Sequence, residues 1–294
     1  MESASRTETV APGNEEATEA WSGVLFDRFV EFRDLMADGL ARFGVQAMQL
    51  HPPREGDRVL DIGCGFGDST QDLARLVAPG GRAVGVDVSE PFVRTATGEA
   101  RDAGIANIEF MAGDVQVVEL PGPFDYVFSR MGVMFFANPV AALRNIRESM
   151  APGGRLCLVV WRRKLDNPWV LRAEQVVERY LAEPEDTDEP KCGPGPFSMQ
   201  DADTVSHQLL IAGFVRPTFT RCDLPMKLGD DLDRAVAMNM ALGPAAEIIR
   251  VTGEEAESIR PKLEREIREV LDDFREPDGV FGPASTWIIT ATAA

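Results

Sequence analysis

The sequence predicts an α/β protein: a seven-stranded, mostly parallel sheet with helices on both faces and helical additions forming a lid. Three observations predict it. From residue 56 onward, short apolar runs alternate with amphipathic segments of helical length. Turns rich in Pro and Gly separate them, as at Ala78-Pro79-Gly80-Gly81 and Ala151-Pro152-Gly153-Gly154. An acidic residue stands in or just after each of the first three runs: Asp61, Asp87 and Asp114.

The elements follow in order. Residues 1–20 are polar and acidic and read as a disordered tail. Residues 21–55 form an N-terminal helical cap. Trp21, Leu25, Phe29, Phe32, Leu35 and Met36 recur at helical spacing there, and a second helix over 39–50 ends at Pro52-Pro53. The core spans 56–164. Strands are expected at 59–62, 83–86, 108–111, 126–129 and 156–161. Helices are expected at 69–77, 91–103 and 139–150, the first capped by Asp68 or Ser69 and the second by Ser89. Residues 165–294 complete it. They hold a helix over 168–181 capped by Asn167, an acidic Pro/Gly-rich loop over 182–200, a helix and strand near 203–223, and a last strand near 285–291. A strand-free helical block, broken or kinked at Pro261, forms a lid insertion over 228–280.

Composition narrows the function. The 294 residues carry a formal charge of −18, which repels phosphate backbones and disfavours nucleic-acid partners. No apolar run is long enough to span a bilayer, and the first residues lack the pattern of a secretory leader. The four cysteines, Cys64, Cys157, Cys192 and Cys222, are scattered, and the two histidines, His51 and His207, are far apart. No metal site is expected, and free thiols fit a cytoplasmic location.

The chemistry-bearing residues lie at the strand ends. In VLDIGCGFGDST, Gly63, Gly65 and Gly67 follow the first strand and precede a helix. Such a loop lets a ligand approach the backbone, and the helix start offers free N–H groups. The dinucleotide pattern G-x-G-x-x-G fails, because Asp68 stands three after Gly65. Asp61, just before the loop, suits a ligand ammonium better than a pyrophosphate. Asp87 can accept two hydrogen bonds from a ribose diol. Asp114, after the third strand, can accept from an exocyclic adenine amine, although Gly-Asp after a strand is by itself an ordinary turn.

In this order the motifs resemble the class I methyltransferases that use S-adenosylmethionine (SAM), over about residues 56–161. The resemblance implies a Rossmann-like core with SAM as cofactor. It implies that Asp61, Gly63, Cys64, Gly65 and Gly67 hold the methionine part. Asp87 and Val88 would then hold the ribose, and Asp114 with Val115 the adenine, against the apolar Phe92. The segment from Ser129, Arg130 and Met131 into NPVAALRNIRESMAPGGRL is similar to the branch with the quinone-biosynthesis C-methyltransferases and other small-molecule enzymes. It implies that these three residues line the cofactor cleft. The signature Asn-Pro-Pro-Tyr of base-amine methylation is missing there.

The expected reaction is in-line methyl transfer to a small, apolar or aromatic molecule. SAM is already activated, so orientation supplies much of the rate and a base is optional. No catalytic base stands out. Met238, Met240 and Leu242 suit an adaptable pocket but equally a plain core. Two other readings compete: a non-catalytic SAM-binding partner or regulator of the same fold, and a nicotinamide oxidoreductase, against which the missing third glycine counts. The oligomeric state is left open, a homodimer included.

Overall fold

The β-branched and aromatic runs of the core pair as parallel strands because both sheet faces are covered, and the central strands are buried along nearly their whole length. In the computed structural model, which describes residues 10–182 and 193–294, β1 (Arg58–Ile62) lies between β2 (Arg82–Asp87) and β4 (Phe124–Arg130). β3 (Ile108–Ala112) flanks β2, and β5 (Met150–Trp161) flanks β4. Leu60 is opposite both Val84 and Val127, and Asp61 opposite Gly85. The order is β3-β2-β1-β4-β5-β8-β6, with β8 (Gly279–Ala293) antiparallel to β5 and to the edge strand β6 (Phe214–Gly229). The strand order reverses between β1 and β4, which opens a crevice at their carboxyl ends.

This is the expected seven-strand path, with one addition. β7 (Arg275–Glu276) forms a short hairpin with the start of β8. The helical block expected over 228–280 is therefore shorter at both ends. β6 runs through Gly229, past Pro217 and Pro225, which an edge strand tolerates because its outer N–H groups need no partner. Between them lie α9 (Leu232–Ala241), α10 (Pro244–Thr252), α11 (Glu254–Ser258) and α12 (Arg260–Leu271). The block breaks at Pro261 rather than kinking there: α11 ends at Ser258, and Pro261 sits in the first turn of α12, where its missing N–H costs nothing.

The core helices are α4 (Asp68–Leu76), α5 (Glu90–Asp102), α6 (Pro139–Glu148), α7 (Pro168–Glu178) and α8 (Ala202–Ile211). One expected cap is corrected, and two hold their positions without a capping bond. Gly67 caps α4, because the Ser69 and Thr70 hydroxyls donate to Asp61 instead. Ser89 holds the cap position of α5 without bonding it, and Asn167 spends its amide on Arg163 and Ser285.

The N-terminal part also differs from expectation. Residues 10–20 are not a disordered tail: α1 (Glu15–Ser22) precedes α2 (Val24–Glu31) and α3 (Arg33–Leu50). Residues 1–9 of that tail, and 183–192 of the acidic loop with Cys192, lie outside the described residues. No break occurs at Gly39, since its bare Cα lets α3 approach β6. A Cβ there would come within 3.1 Å of Met226. Among the described residues no helix is long and apolar enough to cross a membrane.

Leu60 of β1 is fully buried at the centre of this sheet. Leu60→Ala should lower stability by about 2–5 kcal/mol, from lost transfer energy plus the cavity left behind. Urea unfolding should show a lower midpoint at unchanged slope, and a loss under about 1 kcal/mol would contradict the central placement of β1.

Candidate active site

The loop after β1 is pinned to the neighbouring strand. The Gly63 and Cys64 N–H groups both donate to the Val86 carbonyl, at 2.8 and 3.1 Å. Gly63 has φ +64, and a Cβ there would lie 2.6 Å from the Gly132 Cα. The chain leaving β4 therefore passes directly against the loop. Gly65, at φ +53, has open space where a Cβ would be. Gly67 serves packing, leaving room for Phe110 and Ala96.

The three strand-end acids differ in what they can still accept. A carboxylate offers about four lone-pair positions. Asp61 is 1% exposed. Its Oδ2 accepts from Ser69 and Thr70 at 2.7 and 2.6 Å, while Oδ1 is buried without a partner. Burial pushes the Asp61 carboxyl from 3.8 up to about 6; the two hydroxyls and the charge of Arg130 oppose this. Asp87 accepts one hydrogen bond on each oxygen, from the Gly65 and Ser89 N–H groups at 2.9 Å, so two positions remain. Burial raises its carboxyl too, against those backbone donors. Asp114 has nothing left. Its Oδ1 accepts from the Gln116 N–H and side chain, and its Oδ2 from Ala11 N–H at 3.0 Å, Asn14 Nδ2 at 2.7 Å and Gln116 Nε2 at 3.1 Å.

Most of the other expected residues meet at one cavity of about 1100 Å³. Gly63, Cys64, Gly65, Asp87, Val88, Phe92, Asp114, Val115, Arg130 and Met131 all line it. Phe92 sits edge-on to Phe26 of α2 and to Phe66, at 5.0 and 4.8 Å. Met131 adopts φ +64, a costly conformation for a side-chain-bearing residue, held by its N–H bond to Val159. The Cys64 thiol is pushed well up by burial and the nearby acids, so it is a packing group rather than a nucleophile. Three expected residues do not reach the cavity wall. Asp61 lies buried behind it, Gly67 packs under α5, and Ser129 donates to the Ile62 carbonyl at 2.7 Å, stitching β4 to β1.

Beyond the strand ends the cavity continues between α2, α3, α7, α9 and α10. Trp161, Trp169, Phe197 and Leu242 wall this part, with Met238; Met240 is buried away from it. His51 and His207 are not on the wall. Sequence reasoning missed an ion pair here. Lys164 Nζ lies 2.5 Å from Glu174 Oε1, and Glu174 is 6% exposed among Val170, Ala173 and Val177 on the buried stripe of α7. A lone acid on an apolar helical stripe was the available signal. It also missed Arg28 and the Arg250–Glu247 pair, contributed by α2 and α10. Burial and the Arg250 charge both lower the Arg28 pKa.

Residues 53–189 match the family profile described as a methyltransferase domain. This stretch, just under half of the chain, is similar to methyltransferase domains. The chain is 34% identical over 139 residues to a nocamycin O-methyltransferase of Saccharothrix syringae, covering 46% of this chain and 49% of that one. It is 33% identical over 129 residues to the ubiquinone/menaquinone biosynthesis C-methyltransferase UbiE of Pseudomonas fluorescens, covering 43% and 50%. The chain thus spans about half the length of the curated relatives it matches. The YcgJ protein of Bacillus subtilis shares the fold, with a TM-score of 0.56 over 86% of this chain and 98% of that one at 16% identity. The matched stretch ends before β6 to β8 and α8 to α12, so much of the cavity wall is built outside it.

The raised Asp61 carboxyl within the matched stretch has a consequence for stability. Its contribution is fully present below the unfolded value near 3.8 and is lost as pH rises through about 6, because the folded state holds the proton longer. Ligand-free protein should therefore lose about 1 kcal/mol between pH 5 and pH 7 from this group. In Asp61→Asn that part of the pH dependence should vanish from the urea unfolding curves, whereas equal slopes in both proteins would contradict the buried, half-partnered carboxyl.

Proposed function

We propose that this protein transfers a methyl group from SAM to a small apolar or aromatic acceptor enclosed by a helical lid. One observation carries the reading. Acids at or just after the ends of three adjacent parallel strands gather around one cavity, Asp87 and Asp114 on its wall and Asp61 buried behind it, and the cavity runs on into an aromatic chamber.

The unused acceptor positions fit the cofactor. Asp61, buried behind the wall with Oδ1 unpartnered, sets a carboxylate charge that favours an ammonium group in the cavity, and the two free positions of Asp87 match the two hydroxyls of a ribose. Arg130, whose charge Asp61 feels, is placed for the cofactor carboxylate. Gly65 leaves room for a close backbone approach. SAM, when bound, supplies an electrophilic methyl on its sulfonium. The protein's part is to orient the acceptor and exclude water, which strengthens the alignment between the two reactants. Trp161, Trp169 and Phe197 would hold an apolar or aromatic body. Glu174, kept in place by Lys164, offers a proton acceptor on the chamber wall, and Arg28 with Arg250 favours an acceptor bearing an acidic group. The lid comes from α1 to α3, α7, residues 193–200 and α9 to α10.

Calorimetric titration with S-adenosylhomocysteine (SAH) tests the cofactor part. Asp87→Ala should weaken binding by about 1–3 kcal/mol, and unchanged affinity would remove the ribose assignment. The catalytic part is tested with methyl-labelled SAM against a panel of phenols, aromatic acids and quinols. Labelled product from at least one class is expected. Tight SAH binding with no transfer to any would favour a non-catalytic SAM-binding protein.

A further inference from the structure

The resemblance gives the adenine to Asp114, yet that carboxylate is saturated. Ala11 N–H and Asn14 Nδ2 fill Oδ2, and Gln116 fills Oδ1. The exocyclic amine of adenine would find no lone pair there. We propose that Asn14, not Asp114, presents the acceptor that reads the adenine amine, and that Asp114 serves to hold Asn14 in position. The inference rests on the SAM reading above.

The orientation of the Asn14 amide follows from its partner. A carboxylate only accepts, so the NH₂ faces Asp114 and Oδ1 faces the other way. Asn14 is 7% exposed and lines the cavity. Its Oδ1 accepts no hydrogen bond among the described residues, and the atom is not fully buried. At the cap of α1 an asparagine oxygen normally takes an N–H from the first helical turn. Here it takes none, and is left for the cavity.

Asn14 is also held firmly. Thr18 Oγ1 donates to its carbonyl at 2.8 Å, and Trp21 of the same helix stacks edge-on with Phe135 at 4.8 Å. Asp114 is thereby a positioning residue one step removed from the ligand. A neutral amide oxygen suits this role, because it accepts from an amine and is repelled by a ring carbonyl in the same place.

The experiment is calorimetry on the full chain with two probes, SAH and its inosine analogue, which has a carbonyl in place of the adenine amine. Wild type should bind SAH at least tenfold tighter than the analogue. Asn14→Ala should shrink that ratio to under threefold, mainly by weakening SAH. Asn14→Ser places a hydroxyl suited to helix capping there and removes the amide oxygen. It should do the same, and stands in if the alanine variant does not fold. An unchanged ratio in a folded variant overturns the proposal. So does tighter SAH binding, which would mean that residues 11–14 merely block the adenine position. If wild type binds neither probe, the SAM reading itself fails, and this inference with it.

Discussion

The site depends on one backbone contact, the meeting of Gly63 and Gly132 where β1 and β4 leave the sheet. A side chain on Gly63 would strike the Gly132 Cα at 2.6 Å, and one on Gly132 would strike the Ile62 carbonyl at 2.7 Å. Because neither has one, the two loops lie against each other and form the cavity floor. The Ser129 hydroxyl on Ile62 and the Gly63 and Cys64 N–H groups on Val86 lock the same floor to its neighbours. A ligand approaching the reversal point in the strand order thus meets a rigid surface, which is what pre-organised binding needs.

At that floor and behind it, three acids of the same type have been given different capacities by their surroundings. Desolvation raises Asp61 and Asp87 alike. Local donors then decide what each has left: an orphan oxygen on Asp61, two free positions on Asp87, none on Asp114. Gathering acids at a cavity in a chain of charge −18 is electrostatically unfavourable unless a cation compensates. Arg130 does so in part, and the ammonium of SAM would do the rest. The spare capacity is therefore itself a description of the ligand.

The acceptor side is built differently. Trp161, Trp169 and the Lys164–Glu174 pair stand at the end of the matched stretch, and Phe197 with the helices before and after that stretch closes the rest of the wall. Such additions vary without disturbing the sheet, since they pack on its carboxyl end rather than within it. That separation lets one cofactor platform serve different acceptors.

The sequence by itself determined the sheet, its order of elements, and the strand-end acids with their glycine loop. Local rules govern these: apolar periodicity marks buried strands, and glycine marks positions where a Cβ cannot fit. The residues of VLDIGCGFGDST and the acids Asp87 and Asp114 could be read in place because each belongs to one short segment. Only the tertiary structure decided what no segment contains. The polar stretch before Glu15 looked like a tail because it has little apolar surface to bury, yet two hydrogen bonds from Ala11 and Asn14 dock it on an acid a hundred residues away. Ser129 read as cleft-lining and turned inward for the same kind of reason: its partner, the Ile62 carbonyl, is supplied by a distant strand. β6 ran on through Pro225 because being an edge strand is a property of the assembled sheet and not of its sequence.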